Sequence, residues 1–167
     1  MAFGTTGAGT ITKEQTLLSI RRFGVAASTT ITKGEVVNLD AGGDLVTSTT
    51  TPVSGTHYVA LETVDNSAGA DDDLQCPVAV PGHYVTVIAD GVINPGDYVQ
   101  EATATAGQVI VWAGVENDEI VGIYMGKEGG IIAKGAATPF LEDFTDGADF
   151  KPVDSADGDV IEILLVD

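Results

Sequence analysis

Thr30–Leu39 reads TITKGEVVNL, and Val92–Glu101 reads VINPGDYVQE. The two stretches share one grammar. In each, an aliphatic residue (Ile31, Ile93) precedes a two-residue corner, Thr32-Lys33 or Asn94-Pro95. A glycine (Gly34, Gly96) and an acid (Glu35, Asp97) follow, and then a strand-like run begins. Lys33-Gly34 and Pro95-Gly96 are turn signals, and the β-branched and aromatic residues after them favour a pleated, half-buried backbone.

The echo continues downstream. Asp44–Val46 matches Gln108–Ile110 as a second short strand, and His57–Leu61 matches Glu119–Ile123 as a third. Gly34 to Gly96 and Val59 to Val121 are both 62 positions, which sets the expected register. Pro77–Val80 matches Val160–Ile163 at 83 positions, so the second copy carries about twenty extra residues before its last strand. Two copies are too few for a solenoid, whose repeats stack at least about three deep. The economical reading is an all-β, compact β-barrel made of two related halves that close on each other.

Composition agrees with one β-rich domain. The chain has 167 residues, 44% of them hydrophobic, with 21 glycines and many Thr, Val, Ala and Asp. That is long enough to bury a core and richer in turn and strand residues than in helix formers. Twenty-five acids against seven Lys plus Arg give a net charge of −18. Such a surface repels phosphate backbones, so nucleic acid is not an expected partner, and a high-salt source would suit it. Cys76 is the single cysteine, which excludes an internal disulfide. No apolar run approaches the length that spans a bilayer, and the N-terminus lacks the basic-then-apolar pattern of a secretory signal. Synthesis and folding in a cytoplasm, with no membrane partner, are expected.

Taken in order, residues 1–11 are small and Gly-rich and read as an arm with Phe3 as its anchor. The one helix-like signal follows. Thr12 and Gln15 have capping-box spacing, Leu17, Leu18 and Ile20 are apolar, and Gly24 closes the segment after Arg21-Arg22-Phe23. The expected division is an N-terminal arm with one short helix over 1–23 and a β-domain over 24–167. Tyr84–Ile88 carries the strongest strand pattern, and Asp159–Asp167 reads as a closing strand buried through Ile161, Ile163 and Leu165. Residues 126–157 form an insertion before that strand. It holds Phe140, Phe144 and Phe150 among acids, which suggests a packed subunit–subunit contact.

The residues offer little chemistry. His57 and His83 each sit beside a tyrosine, and neither lies near a Gly-x-Ser-x-Gly turn, so both read as strand residues. Cys76 before Pro77 reads as a small buried hydrophobe. The Asp-rich turns Asp71–Asp73 and Asp154–Asp159 lack the alternating oxygen ligands of an EF-hand and read as turn formers. No catalytic residue, cofactor or metal ligand is expected, and the chain is not expected to be an enzyme.

Phe23–Leu39 (FGVAASTTITKGEVVNL), Val59–Leu61, Ile88–Val99 (IADGVINPGDYV), Ile120–Ile123 and Gly158–Leu165 (GDVIEILL) together resemble the decoration (cement) proteins of tailed-virus heads. The resemblance covers roughly 23–125 and 158–166 and rests on a pattern of turns and strands. It implies a β-barrel or β-tulip without an active site, located on the capsid outer surface of the virion. It further implies binding to the major capsid protein and to itself, as a homotrimer. The chain departs from the family in the length of 126–157 and in its acidity. Under this reading Phe3, Leu17, Leu18, Ile20 and Phe23 are apolar anchors on the capsid, and Arg21 and Arg22 are ion-pair partners. The competing expectations are another structural virion component (a tail-tube, turret or fibre-base subunit) and a carbohydrate- or ion-binding β-module. The last needs aromatics lining a groove, and the chain has one Trp and four Tyr.

Overall fold

The computed structural model describes residues 11–13, 20–48, 55–116, 119–127 and 154–166. Thirteen strands run through them: β1 (Ile11–Lys13), β2 (Ile20–Gly24), β3 (Thr29–Ile31), β4 (Val36–Leu39), β5 (Leu45–Thr47), β6 (Tyr58–Ala60), β7 (Val64–Asn66), β8 (Gln75–Ala79), β9 (Tyr84–Ile88), β10 (Tyr98–Glu101), β11 (Val109–Val111), β12 (Ile120–Lys127) and β13 (Val160–Leu165). The all-β expectation holds. The helix expected between Thr12 and Gly24 does not form where that segment is described, because β1 and β2 occupy its two ends.

The strands make three sheets. Their orders are β1-β9-β13-β12-β10-β11, β2-β8-β6-β4-β5, and the pair β3-β7. Set aside β1, and the two large sheets have one topology: β2, β8, β6, β4 and β5 correspond to β9, β13, β12, β10 and β11. The hydrogen bonds repeat as well. A lone parallel bridge joins Val25 to Leu45 in the first half and Ala89 to Val109 in the second, each 64 positions on. Gly34 N–H donates to Ala60 O at 2.8 Å, and Gly96 N–H donates to Tyr124 O at 2.9 Å. Thr32 N–H donates to Glu35 Oε2 at 2.9 Å, and Asn94 N–H donates to Asp97 Oδ2 at 3.0 Å. Gly34 and Gly96 have φ of 90° and 91°, a left-handed backbone that glycine adopts without penalty. The repeated grammar is therefore a repeated corner: the acid caps the turn and the glycine makes it.

Two details differ from the sequence reading. The third strands align at 64 positions rather than 62, since Val37↔Tyr58 matches Val99↔Gly122 and Val36↔Val59 matches Tyr98↔Ile123. The last strands likewise align at 85, with Ala60↔Val78 matching Tyr124↔Ile163. A shift of two keeps each side chain on the same face, so alternation alone cannot distinguish the two registers. Moreover, the two halves do not close on each other as one barrel. Each large sheet curls until a single parallel bridge links its ends, and the described strands form open sheets.

The halves stack in tandem. Val25, Ile31, Val37, Leu45, Ala60, Cys76 and Val78 form the inner cluster of the first half, with Phe23, Tyr58 and Val64 packed on it. The antiparallel pair β3–β7 contributes Ile31 and Val64 to this cluster and covers the first half's inner side. Val99, Val109, Tyr124, Ile161, Ile163, Ala89 and Ile93 are the matching inner residues of the second half. They share one buried cluster with Val36, Val59 and Ala79, which lie on the opposite, outward face of the first sheet. The outer face of half one thus completes the core of half two. Each fully buried Val or Ile there contributes about 1.5–3 kcal/mol relative to exposure.

Candidate functional site

The stacking brings together three polar side chains far apart in sequence. Asn38 on β4 and His57 before β6 point outward from half one, and Glu101 ends β10 on the inner side of half two. Asn38 Nδ2 donates to Glu101 Oε1 at 3.1 Å. His57 Nδ1 lies 3.3 Å from Glu101 Oε1 and 3.3 Å from Asn38 Oδ1. Glu101 and His57 are 0% and 1% exposed. A buried carboxylate is costly unless donors surround it, so this cluster holds only while the halves stay stacked. His57 Nε2 has no hydrogen-bond partner among the described residues. The geometry makes the triad a polar strut between halves. No local motif announces it; the signal in the sequence is an acid at an inward register position, where Leu39 stands in the first half.

Other polar residues pin loops. His83 Nδ1 lies 2.8 Å from Val80 O. Asn66 Nδ2 donates to the carbonyls of Val25, Ala26 and Ala70 at 2.9, 3.2 and 2.8 Å. Ser155 accepts from Ile93 N–H at 2.8 Å and donates to Gly91 O at 2.9 Å, tying the segment just before β13 to the connection between β9 and β10. Cys76 is buried, as expected, and burial pushes its thiol above the usual range.

The Asp-rich turns receive backbone amides. Asp71 Oδ1 accepts from Ala27 N–H, Asp73 Oδ2 from Ala70 N–H and Asp159 Oδ2 from Ala156 N–H, each at 2.7 Å. Asp44 is held above the ordinary carboxylate value by desolvation first, then by Asp72, Asp71 and Asp40. Asp65 is held below it by hydrogen bonds from Ser67 and Thr30. Tyr124, deep in the core, is pushed up to about 12 by burial and by Asp159 and Asp154. Among the described residues, no group of three or more His, Cys, Asp or Glu is arranged to hold a metal ion.

The contact residues expected from the sequence are only partly within the described residues. Ile20 is exposed at 44%, Arg21 and Arg22 are exposed, and Phe23 is half-buried with its ring 5.2 Å from that of Tyr58. These four lie on β2, at the edge of the five-stranded sheet. Phe3, Leu17 and Leu18 lie outside the described residues, as do Phe140, Phe144 and Phe150.

One surface was not singled out in the sequence. On the outward face of the six-stranded sheet, Tyr84, Leu164, Ile123 and Tyr98 stand in one registered row across four strands. Tyr98 is 48% exposed and meets Trp112 edge-on at 6.1 Å, while the other three are half-buried. Val111, Val115 and Met125 are also exposed in this half. The repeat register would have found the row, because its counterparts in half one are Ile20, Ala79, Val59 and Val36.

No protein-family model and no curated protein matches the chain. Among solved structures, the fold is similar to that of the head fiber gp8.5 N base of bacteriophage phi29. That match has a TM-score of 0.52 and 13% identity, and it covers 87% of this chain and 93% of that one. At this identity the likeness is one of fold.

Proposed function

We propose that the chain is a structural protein of a tailed-virus virion, seated on the outer surface of the capsid and stabilising it as a head decoration protein. The observation that carries this reading is the likeness over nearly the full length of both chains to the base of a phage head fiber. The sequence resemblance to head decoration proteins points the same way, and it rests on different features. The partners in this reading are the major capsid protein and further copies of the chain, assembled as a trimer. A net charge of −18 suits such a role, since it disfavours binding to packaged nucleic acid. Residues 1–23 serve as a clamp, with Arg21 and Arg22 pairing with acids of the shell. An inert body needs no cofactor, and the reading assigns no reaction to His57, which braces the two halves.

A second reading has the chain as the base of a fibre, favoured by the fibre-base identity of the structural neighbour. One experiment separates the two. Purified chain is co-sedimented with heads stripped of it, and the heads are then tested for resistance to heat. Decoration predicts saturable binding and a higher temperature of head rupture. Saturable binding without stabilisation supports the fibre-base reading. Failure to bind heads, with the free chain stacking into rings or tubes, rules out both.

A further inference from the structure

Leu164, Ile123 and Tyr98 of the row occupy the positions that half one uses to join half two, while the counterpart of Tyr84, Ile20, is 44% exposed. In half one, Val36, Val59 and Ala79 are fully buried in the shared core. In half two the same positions carry larger apolar side chains, and Tyr98 and its neighbour Trp112 form an aromatic pair at the surface. Tyr and Trp supply large contact area with little rotamer entropy to lose, and they dominate the energetics of protein interfaces. Acids border the row. Asp97 precedes Tyr98, Glu162 shares the outward face of β13 with Leu164, and the Glu116 carbonyl accepts from Trp112 Nε1 at 3.0 Å.

We infer that this outward row is a docking face for a protein surface with an apolar centre and a basic rim. Under the function proposed above, on which this inference rests, that surface belongs to the capsid shell. Charge complementarity selects the occupant. A phosphate-bearing surface is repelled by Asp97, Glu116 and Glu162. A second copy of a chain carrying −18 would bring the same acids against them, and its first half offers no vacant inner side because β3–β7 already covers it.

The test uses the full chain and heads stripped of it. Tyr98→Ser/Ile123→Thr/Leu164→Thr removes the apolar row at half-buried or exposed positions. Tyr98→Lys places a like charge opposite the basic rim and changes a residue that is about half exposed, so folding is preserved even if the triple variant melts early. Leu74→Ser, an exposed residue of half one, is the control. The triple variant is expected to bind heads at least ~30-fold more weakly and Tyr98→Lys at least ~10-fold more weakly. Leu74→Ser is expected to bind as the parent does. Parental binding by a folded triple variant, or by Tyr98→Lys, overturns the docking face and leaves the proposed function standing. A parent that is multimeric by light scattering, with a monomeric triple variant, overturns it in favour of a second copy. A parent that binds no heads removes the proposed function and the occupant together.

Discussion

The two halves of this molecule have one strand order and one set of corner hydrogen bonds, yet they bury opposite things. Half one hides Val36, Val59 and Ala79 of its outward row, leaving Ile20 exposed, and covers its inner side with the β3–β7 pair. Half two has its inner side filled by half one and turns its outward row toward the surface. The same backbone position is thus core in one copy and surface in the other. Val59 and Ile123 illustrate this: Val59 is fully buried and Ile123 is half-buried. A tandem stack of two units always leaves one such face unmatched, and side-chain choice decides whether that face is polar or apolar. Here it is apolar.

The largest expected effect contrasts these two positions. Val59→Asp places a charge in the shared core and should destabilise the fold by about 3–5 kcal/mol. Ile123→Asp, its counterpart, should cost no more than about 1–2 kcal/mol. Urea denaturation of both variants measures the difference, and equal losses would break the tandem description. Next is the strut. Glu101→Ala strips the carboxylate from Asn38 and His57 inside the stack and should cost about 2–4 kcal/mol. Leu39→Ala, at the matching position, is 37% exposed and should cost about 1 kcal/mol.

The corners should behave alike. Gly34→Ala and Gly96→Ala each force a β-carbon into a left-handed backbone, with an expected loss of about 1–2 kcal/mol apiece. Unequal losses would show that one corner carries more than turn geometry. The smallest effect lies in the acidic turns. Folded Asp44 binds its proton more tightly than at its ordinary value of 3.8, with desolvation the main cause and Asp72 the next. Its contribution is therefore fully present below pH 3.8 and is lost as pH rises through the raised value. Asp72→Asn should raise the melting temperature slightly at neutral pH and flatten its dependence on pH over that window. A lowered melting temperature at neutral pH would contradict this.

Much of the fold was legible because turn chemistry is local. Gly34-Glu35 and Gly96-Asp97 announce their corners, and Ile161, Ile163 and Leu165 are buried on alternate positions of β13 as the pattern requires. Register was not fully legible, because period-two alternation looks the same after a shift of two. Ile20–Gly24 does not announce itself as a strand, because a five-residue edge strand with two exposed arginines shows no alternation, while the leucines before it mimic a helical stripe. Extending the repeat one strand upstream corrects this, since Ile20–Gly24 falls 64 positions before Tyr84–Ile88, the clearest strand of the chain. The Asn38–His57–Glu101 strut and the outward row depend on how the halves stack, and nothing local to those residues encodes that.

The most direct test is an electron cryo-microscopy map of heads carrying the chain, at a resolution that separates the two large sheets. The expected result is density on the outer surface of the shell, with Tyr98, Ile123 and Leu164 turned toward the capsid and the β3–β7 pair toward solvent. Density with that sheet facing solvent, or heads with no added density, would contradict it.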